Sequence, residues 1–181
     1  MVHTRKRGVV GRSVVLVTLL LLVPGSTRAQ QEAGDPEDVA TLDGIIRAYY
    51  EVVSRPAGVP ADRARDEWIH RPGALVGHPE AGPDGRPRLV TMSLGEFHDR
   101  FGGPDAQPFY EWEVHRDVHR FGSVAHVWST YVSSREPHGE PLGRGINSIQ
   151  LHHDGQRWWI VSWIYDRERQ GSPIPGDYLP E

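Results

Sequence analysis

The chain has 181 residues, with 20 Lys and Arg against 24 Asp and Glu, a formal charge of −4, and no cysteine. Disulfides and thiol chemistry are therefore excluded, and the net acidity argues against a nucleic-acid partner, which requires clustered cations. Arg5, Lys6, Arg7 and Arg12 precede an apolar run, Ser13 to Val23, that is too short to span a bilayer and the right length for the core of a signal peptide.

Pro24-Gly25 breaks that run, and cleavage is expected after Ala29. Residues 1–29 read as a signal peptide, so the mature protein is expected in the periplasm or outside the cell, free of the membrane. Cleavage removes five of the 20 cations and none of the 24 acids, taking the charge from −4 to −9. Residues 30–34 read as a flexible leader, 35–168 as one domain and 169–181 as a proline-rich tail lying across the surface.

Asp35-Pro36-Glu37-Asp38 is a helix start, with an N-cap acceptor, a proline at the first helical position and acids near the positive end of the dipole. Val39, Leu42, Ile45, Ile46, Tyr49, Val52 and Val53 succeed it at three- and four-residue spacing, which predicts one amphipathic helix ending at Ser54. A second helix is predicted over 60–69, closed by Pro72, with Asp62 and Asp66 on its polar side. Short strands are predicted over 74–78 and 88–91, and Ser93 and Glu96 form a capping box for a third helix that buries Leu94, Phe97 and Phe101. From Phe109 to Asp166, four apolar, aromatic-rich segments are joined only by turns, at Phe121-Gly122, at 136–143 and at Asp154-Gly155, and this predicts an antiparallel meander.

If every turn keeps an even count, one sheet face carries Glu111, Glu113, His126, Trp128, Thr130, Asn147, Ile149, Leu151, Trp158, Ile160 and Ser162. The other carries Val127, Ser129, Tyr131, Trp159, Trp163 and Tyr165. Both faces of the last two strands are then apolar, and a second subunit is the simplest cover for the face the helices leave free.

The order of elements resembles the SnoaL-like branch of the nuclear transport factor two superfamily. The likeness is carried by Trp68-Ile-His-Arg-Pro-Gly-Ala74, where relatives have a Phe-x-x-Pro-Asp-Ala-like segment, and by Arg144-Gly-Ile-Asn-Ser-Ile-Gln-Leu151 with Arg157-Trp-Trp-Ile-Val161 after the Asp-Gly turn. The resemblance implies an α+β fold, a cone-shaped curved antiparallel sheet packed on about three N-terminal helices. It also implies an apolar pocket between sheet and helices, and a homodimer through the sheet. The chain departs from catalytic relatives at Gly73, where they place a carboxylate, and at Ser162, where many carry a strand histidine.

Glu111 and Glu113, two apart on one strand, project from one face about 7 Å apart, a spacing open to acid/base work if one carboxyl is buried. His126, on the same face under the even-turn rule, and Glu113 are the candidate catalytic residues. Tyr50, Trp68, Glu111, Trp128, Arg144, Asn147, Trp158 and Ser162 are the candidate ligand contacts, with Tyr50 or Asn147 orienting a carbonyl oxygen. No metal is expected, since His152 and His153 point to opposite faces and no His-x-x-x-His occurs. No cofactor is expected either, since no Gly-rich phosphate loop comes after a strand. The reading is an exported protein binding a small apolar or weakly acidic molecule, isomerase- or lyase-like if catalytic. The alternative is a non-catalytic interaction or dimerisation module that uses the aromatic sheet face.

Overall fold

The computed structural model describes residues 34–180. The expected signal peptide and most of the expected leader lie outside the described residues. The helices are α1 (Glu37–Ala40), α2 (Leu42–Val53), α3 (Arg63–Ile69) and α4 (Leu94–Phe101). The strands are β1 (His70–Ala81), β2 (Pro87–Ser93), β3 (Tyr110–Phe121), β4 (Val124–Ser134), β5 (Pro141–His153) and β6 (Trp158–Arg167), and a 3₁₀ turn covers Gly176–Tyr178.

Two local departures from the sequence reading have physical causes. The first amphipathic segment is two helices, because Thr41 is extended and its hydroxyl caps α2 by accepting from the Gly44 amide at 2.9 Å. Gly44 allows the close approach: a Cβ there would stand 2.4 Å from the Glu37 carbonyl oxygen. Pro72 does not close a helix but lies inside β1, which starts directly after α3 and breaks its pairing with β6 between His70 and Leu75. Gly73, with φ of +84°, lies in that break. The predicted capping box of α4 is present, with Ser93 accepting from Glu96 and Glu96 from the Ser93 amide.

The six strands form one sheet in the order β2-β1-β6-β5-β4-β3, antiparallel throughout except for β1 against β6. This is the predicted α+β architecture, a curled sheet closing on its helices. Its concave face holds the core: Val76, Met92, Ala125, Val127, Tyr131, Ile149, Leu151, Ile160 and Trp163 pack against Ile45, Ile46, Tyr49 and Val52 of α2. Gly145 is part of this packing, since a Cβ there would lie 2.4 Å from the Tyr131 hydroxyl.

The even-turn assignment of faces is corrected by the registers. Val114 is an extra residue in β3, so Glu113 opposes Tyr131 whereas His119 opposes His126. Leu142 is an extra residue in β5, and Ser129 opposes Asn147. Val161 is an extra residue in β6, so Ile149 opposes Trp163 while Leu151 opposes Ile160. Each insertion moves the residues beyond it to the opposite face, and bulges of this kind also bend a strand. Ser129, Tyr131, Asn147, Trp158 and Trp163 therefore all belong to the buried side. His126, Trp128 and Ser162 stand on the outer one.

The tail supplies part of the outer cover that the sequence assigned to a second subunit. Thr130 donates to the Tyr178 carbonyl at 2.7 Å, and the Tyr178 ring lies 6.0 Å from that of Trp128. Glu168 anchors the tail, accepting from Arg144 at 2.8 and 3.1 Å and from the Ile174 amide at 3.1 Å. Among the described residues no helix is long and apolar enough to cross a membrane.

Candidate functional site

The concave face, α2 and α4 line a cavity of about 530 Å³ that is open to solvent on one side. Its size falls within the range of small-molecule sites. The helical period of α2 turns Tyr49, Val52 and Val53 toward it, and α4 adds Phe97, His98 and Phe101. The sheet contributes Glu111 from β3, Tyr131 from β4, Asn147 from β5, and Trp163, Tyr165 and Arg167 from β6, an every-second-residue series set by the pleat. Trp163 centres the aromatic wall, its ring at 5.7 Å from Tyr49 and 5.4 Å from Phe97, both edge-on.

The two carboxylates of β3 have different surroundings. Glu113 is ion-paired: Arg116 Nε donates to both its oxygens at 2.9 Å, Ser129 donates to it as well, and Arg116 also reaches Asp43 at 2.6 Å. A directed chain of hydrogen bonds feeds that ion pair. Tyr49 donates to Asn147 Oδ1 at 3.2 Å, Asn147 Nδ2 donates to the Tyr50 hydroxyl at 3.1 Å, and Tyr50 meets Ser129 at 2.7 Å. Because Ser129 spends its proton on Glu113, Tyr50 must be the donor to Ser129. Asn147 and both tyrosines are thus fixed in orientation.

Glu111 has no such neighbour; among the described residues it enters no ion pair. Burial pushes its carboxyl up to about 8, against the opposing pull of Asn147 and Arg167. Burial also raises the hydroxyls of Tyr49, Tyr50 and Tyr131, and the charge of Glu111 adds to each shift, so all three remain protonated donors.

A second buried group lies across the cavity. Asp66 of α3 is only 3% exposed and stands 2.8 Å from His98 Nε2 and 3.0 Å from His70 Nδ1. Burial works to raise its pKa, but the charge and hydrogen bonds of His70 and His98 outweigh that and hold it down to about 2. Asp66 and His98 line the cavity; His70 packs behind, with its ring 4.9 Å from that of Trp163. Placing Asp66 on the polar side of its helix is thus corrected, because α4 brings His98 over it. Among the described residues no group of three or more His, Asp and Glu is placed to hold a metal ion.

Of the residues singled out from sequence, the structure brings Glu111 and Asn147 into the cavity wall and puts Tyr50 one hydrogen bond behind them. Glu113 lies beyond Ser129, facing a more open concavity of about 470 Å³ with Tyr50, Trp112 and Arg116. The others are elsewhere. His126, Trp128 and Ser162 are on the outer face, where His126 contacts Ser148 at 3.0 Å. Trp158 is buried in the core beneath Arg120. Trp68 and Trp159 sandwich the Arg157 guanidinium at 4.1 and 3.8 Å. Arg144 holds Glu168.

Sequence reasoning missed Asp66, His98, Tyr131 and the cavity arginines. The usable signal was the Asp66/His70 spacing of four residues, and Phe97 and Phe101 one turn apart around His98.

A cone of curled sheet and helices around a cavity defines a recognised class of α+β protein. The chain has the fold of the nuclear transport factor 2-like superfamily. It is similar to a superfamily protein from Salmonella enterica serovar Typhimurium LT2, with a TM-score of 0.50 and 15% identity, over 74% of this chain and 92% of that one. An NTF2-like protein of unknown function from Silicibacter pomeroyi DSS-3 gives 0.48 and 21%, covering 71% of this chain and 94% of that one. The S. rosetta CaMKII hub gives 0.46 and 15%, covering 70% and 90%. No protein-family profile and no curated protein matches the sequence. At such identities the likeness defines the fold, and the chemistry rests on the cavity's own residues.

Proposed function

We propose that this is an exported SnoaL-like protein that binds a small molecule in the cone and transfers a proton at a carbon beside a carbonyl, as an isomerase or lyase does, with Glu111 as the acid/base group. The observation that supports this reading is an unpaired carboxyl in the wall of an aromatic cavity. A carboxyl that titrates near 8 is available in both forms around neutral pH, which suits it to abstract and return a proton. Tyr131, protonated and lining the same cavity, is a donor for the ligand's oxygen as negative charge develops there.

The test is solvent deuterium exchange at the α-carbon of 2-tetralone, monitored by NMR. The protein should accelerate exchange over buffer, Glu111→Gln should reduce the acceleration by about 100-fold, and His126→Asn should leave it unchanged. Exchange no faster than in buffer, or full activity in Glu111→Gln, sinks the proposal.

A homodimer through the sheet belongs to the same proposal. Leu75, Leu89 and Ile164 share the outer face of β1, β2 and β6, and each is exposed. A second copy seated there would cover the part of the face that the tail leaves bare. Native mass spectrometry of the purified protein should give twice the chain mass. A monomer mass at micromolar concentration removes this part.

A further inference from the structure

Four arginines from four segments meet at the cavity: Arg55 after α2, Arg100 in α4, Arg135 after β4 and Arg167 at the end of β6. They converge in a chain whose described part is strongly acidic. Elsewhere most arginines are answered by carboxylates, as Arg63 by Glu67 and Asp99, Arg65 by Asp38 and Glu51, Arg116 by Glu113, and Arg144 by Glu168, or lie over an indole, as Arg120 and Arg157 do. At the cavity three of the four are not. Arg55 donates to the Phe101 carbonyl at 3.0 Å and Arg135 to the Pro108 carbonyl at 2.9 Å, both neutral acceptors. Arg55 Nε is buried with no hydrogen-bond partner. Among the described residues none of Arg55, Arg135 and Arg167 enters an ion pair. Arg100 is 3.6 Å from Glu80 and lies over the Phe101 ring.

The cavity's three acids offset this charge only in part. Asp66 is taken up by two histidines, and Asp105, which accepts from the Gln107 amide at 3.1 Å, is a single carboxylate against four guanidiniums. Glu111 prefers its neutral form, and a neutral carboxyl does not repel an anion but can donate to one.

We propose that the cavity's ligand is an anionic apolar small molecule, a carboxylic acid with an aromatic or hydrocarbon body, whose carboxylate docks on the guanidiniums of Arg135 and Arg167 beside Arg55. This rests on the reading of the cavity as a ligand site and names its substrate class. The body packs on Phe97, Phe101 and Trp163, which line the same cavity, and a guanidinium's planar fork matches a carboxylate bidentately. The unanswered charge at the mouth is completed by the ligand.

The probes are 1-naphthaleneacetate and its neutral amide, titrated calorimetrically at one ionic strength near pH 7. The acid should bind at least about tenfold tighter than the amide, a margin typical of one charge-assisted contact. Arg135→Gln/Arg167→Gln should erase that preference by weakening the acid far more than the amide. An unchanged circular dichroism spectrum and urea midpoint establish that the variant is folded. Arg135→Lys/Arg167→Lys, which keeps the charge but loses the fork, should retain part of the preference. Equal binding of acid and amide overturns the inference while leaving the cavity reading intact, and so does a preference that survives in the Gln double variant. If neither probe binds, both readings fall.

Discussion

Replacing Asp66 with alanine should destabilise the protein by about 3–5 kcal/mol, the range found when one member of a buried charged cluster is removed and its partners are stranded. His98, with its ring buried, loses the carboxylate 2.8 Å from Nε2, and His70 loses the one 3.0 Å from Nδ1 while keeping the Asp66 main-chain carbonyl at 2.8 Å. Asp66→Asn keeps the volume and one acceptor, and should cost less. The pH dependence comes from the lowered pKa. In the unfolded chain Asp66 titrates at its ordinary value of 3.8, and in the folded protein at about 2. Its contribution is fully present above pH 3.8 and is lost as the pH falls through 2, where the folded carboxylate also protonates. The gap amounts to about 2 kcal/mol. Urea unfolding of wild type, Asp66→Ala and Asp66→Asn at pH 6, with the wild type repeated at pH 3, measures both effects. A variant within about 1 kcal/mol of wild type at pH 6 would mean that the cluster is not a structural unit.

How much of this was legible in the sequence depends on how local each signal is. The α4 capping box, the α2 stripe and the Asp154-Gly155 turn were readable because each is written within a few residues. At that turn Asp154 accepts from the amides of Gln156 and Arg157, and Gly155 supplies the positive φ. The four meander strands and their sequential pairing were equally plain from segments and turns, whereas the parallel placement of β1 beside β6 was not. Nor was strand parity. The three inserted residues, Val114, Leu142 and Val161, are ordinary strand residues, so nothing in composition marks them as bulges. Yet they decide that Glu113 faces inward with Tyr131 while His126 faces outward, and that Trp158 and Trp163 are buried together despite their odd spacing. A candidate pair built on Glu113 and His126 was therefore lost to an insertion of one residue.

The site residues that were missed share a different cause. Asp66 and His98 are 32 positions apart and meet only because α4 folds over α3. The seven-residue α3 is too short for its periodicity to show that Asp66 points inward. The arginines at the mouth come from four separate segments and form no motif. Glu111 was recognisable as a carboxylate on the right strand. Its distinction from Glu113 lies in where Arg116 points, which is a tertiary fact.

Glu111→Gln should abolish one specific slope in the stability curve and leave a protein more robust in alkali than the wild type. The groups facing Glu111 are Tyr49 and Tyr50 from α2, Tyr131 from β4, Asn147 from β5, and Tyr165 and Arg167 from β6; among them only Arg167 carries a charge near neutrality. Arg167 works to lower the Glu111 pKa, and burial overcomes it, so the folded carboxyl titrates at about 8 against an ordinary 4.5. The folded protein thus holds this proton more tightly than the unfolded chain. Stability is highest below pH 4.5, falls as the pH rises from 4.5 to 8, and is level beyond. Ionising a fully dry carboxyl would cost up to about 5 kcal/mol over that span, and contact with cavity water reduces this to roughly 2. Wild type and Glu111→Gln should have similar urea midpoints at pH 5, and at pH 8.5 the variant should be the more stable by about 2 kcal/mol. Its cost would appear as lost proton exchange, since the proton that destabilises the fold when it leaves is the one the proposed chemistry needs. Parallel pH profiles for the two proteins between 5 and 8.5 would show that Glu111 is an ordinary solvated carboxylate, and the acid/base role would fall with it.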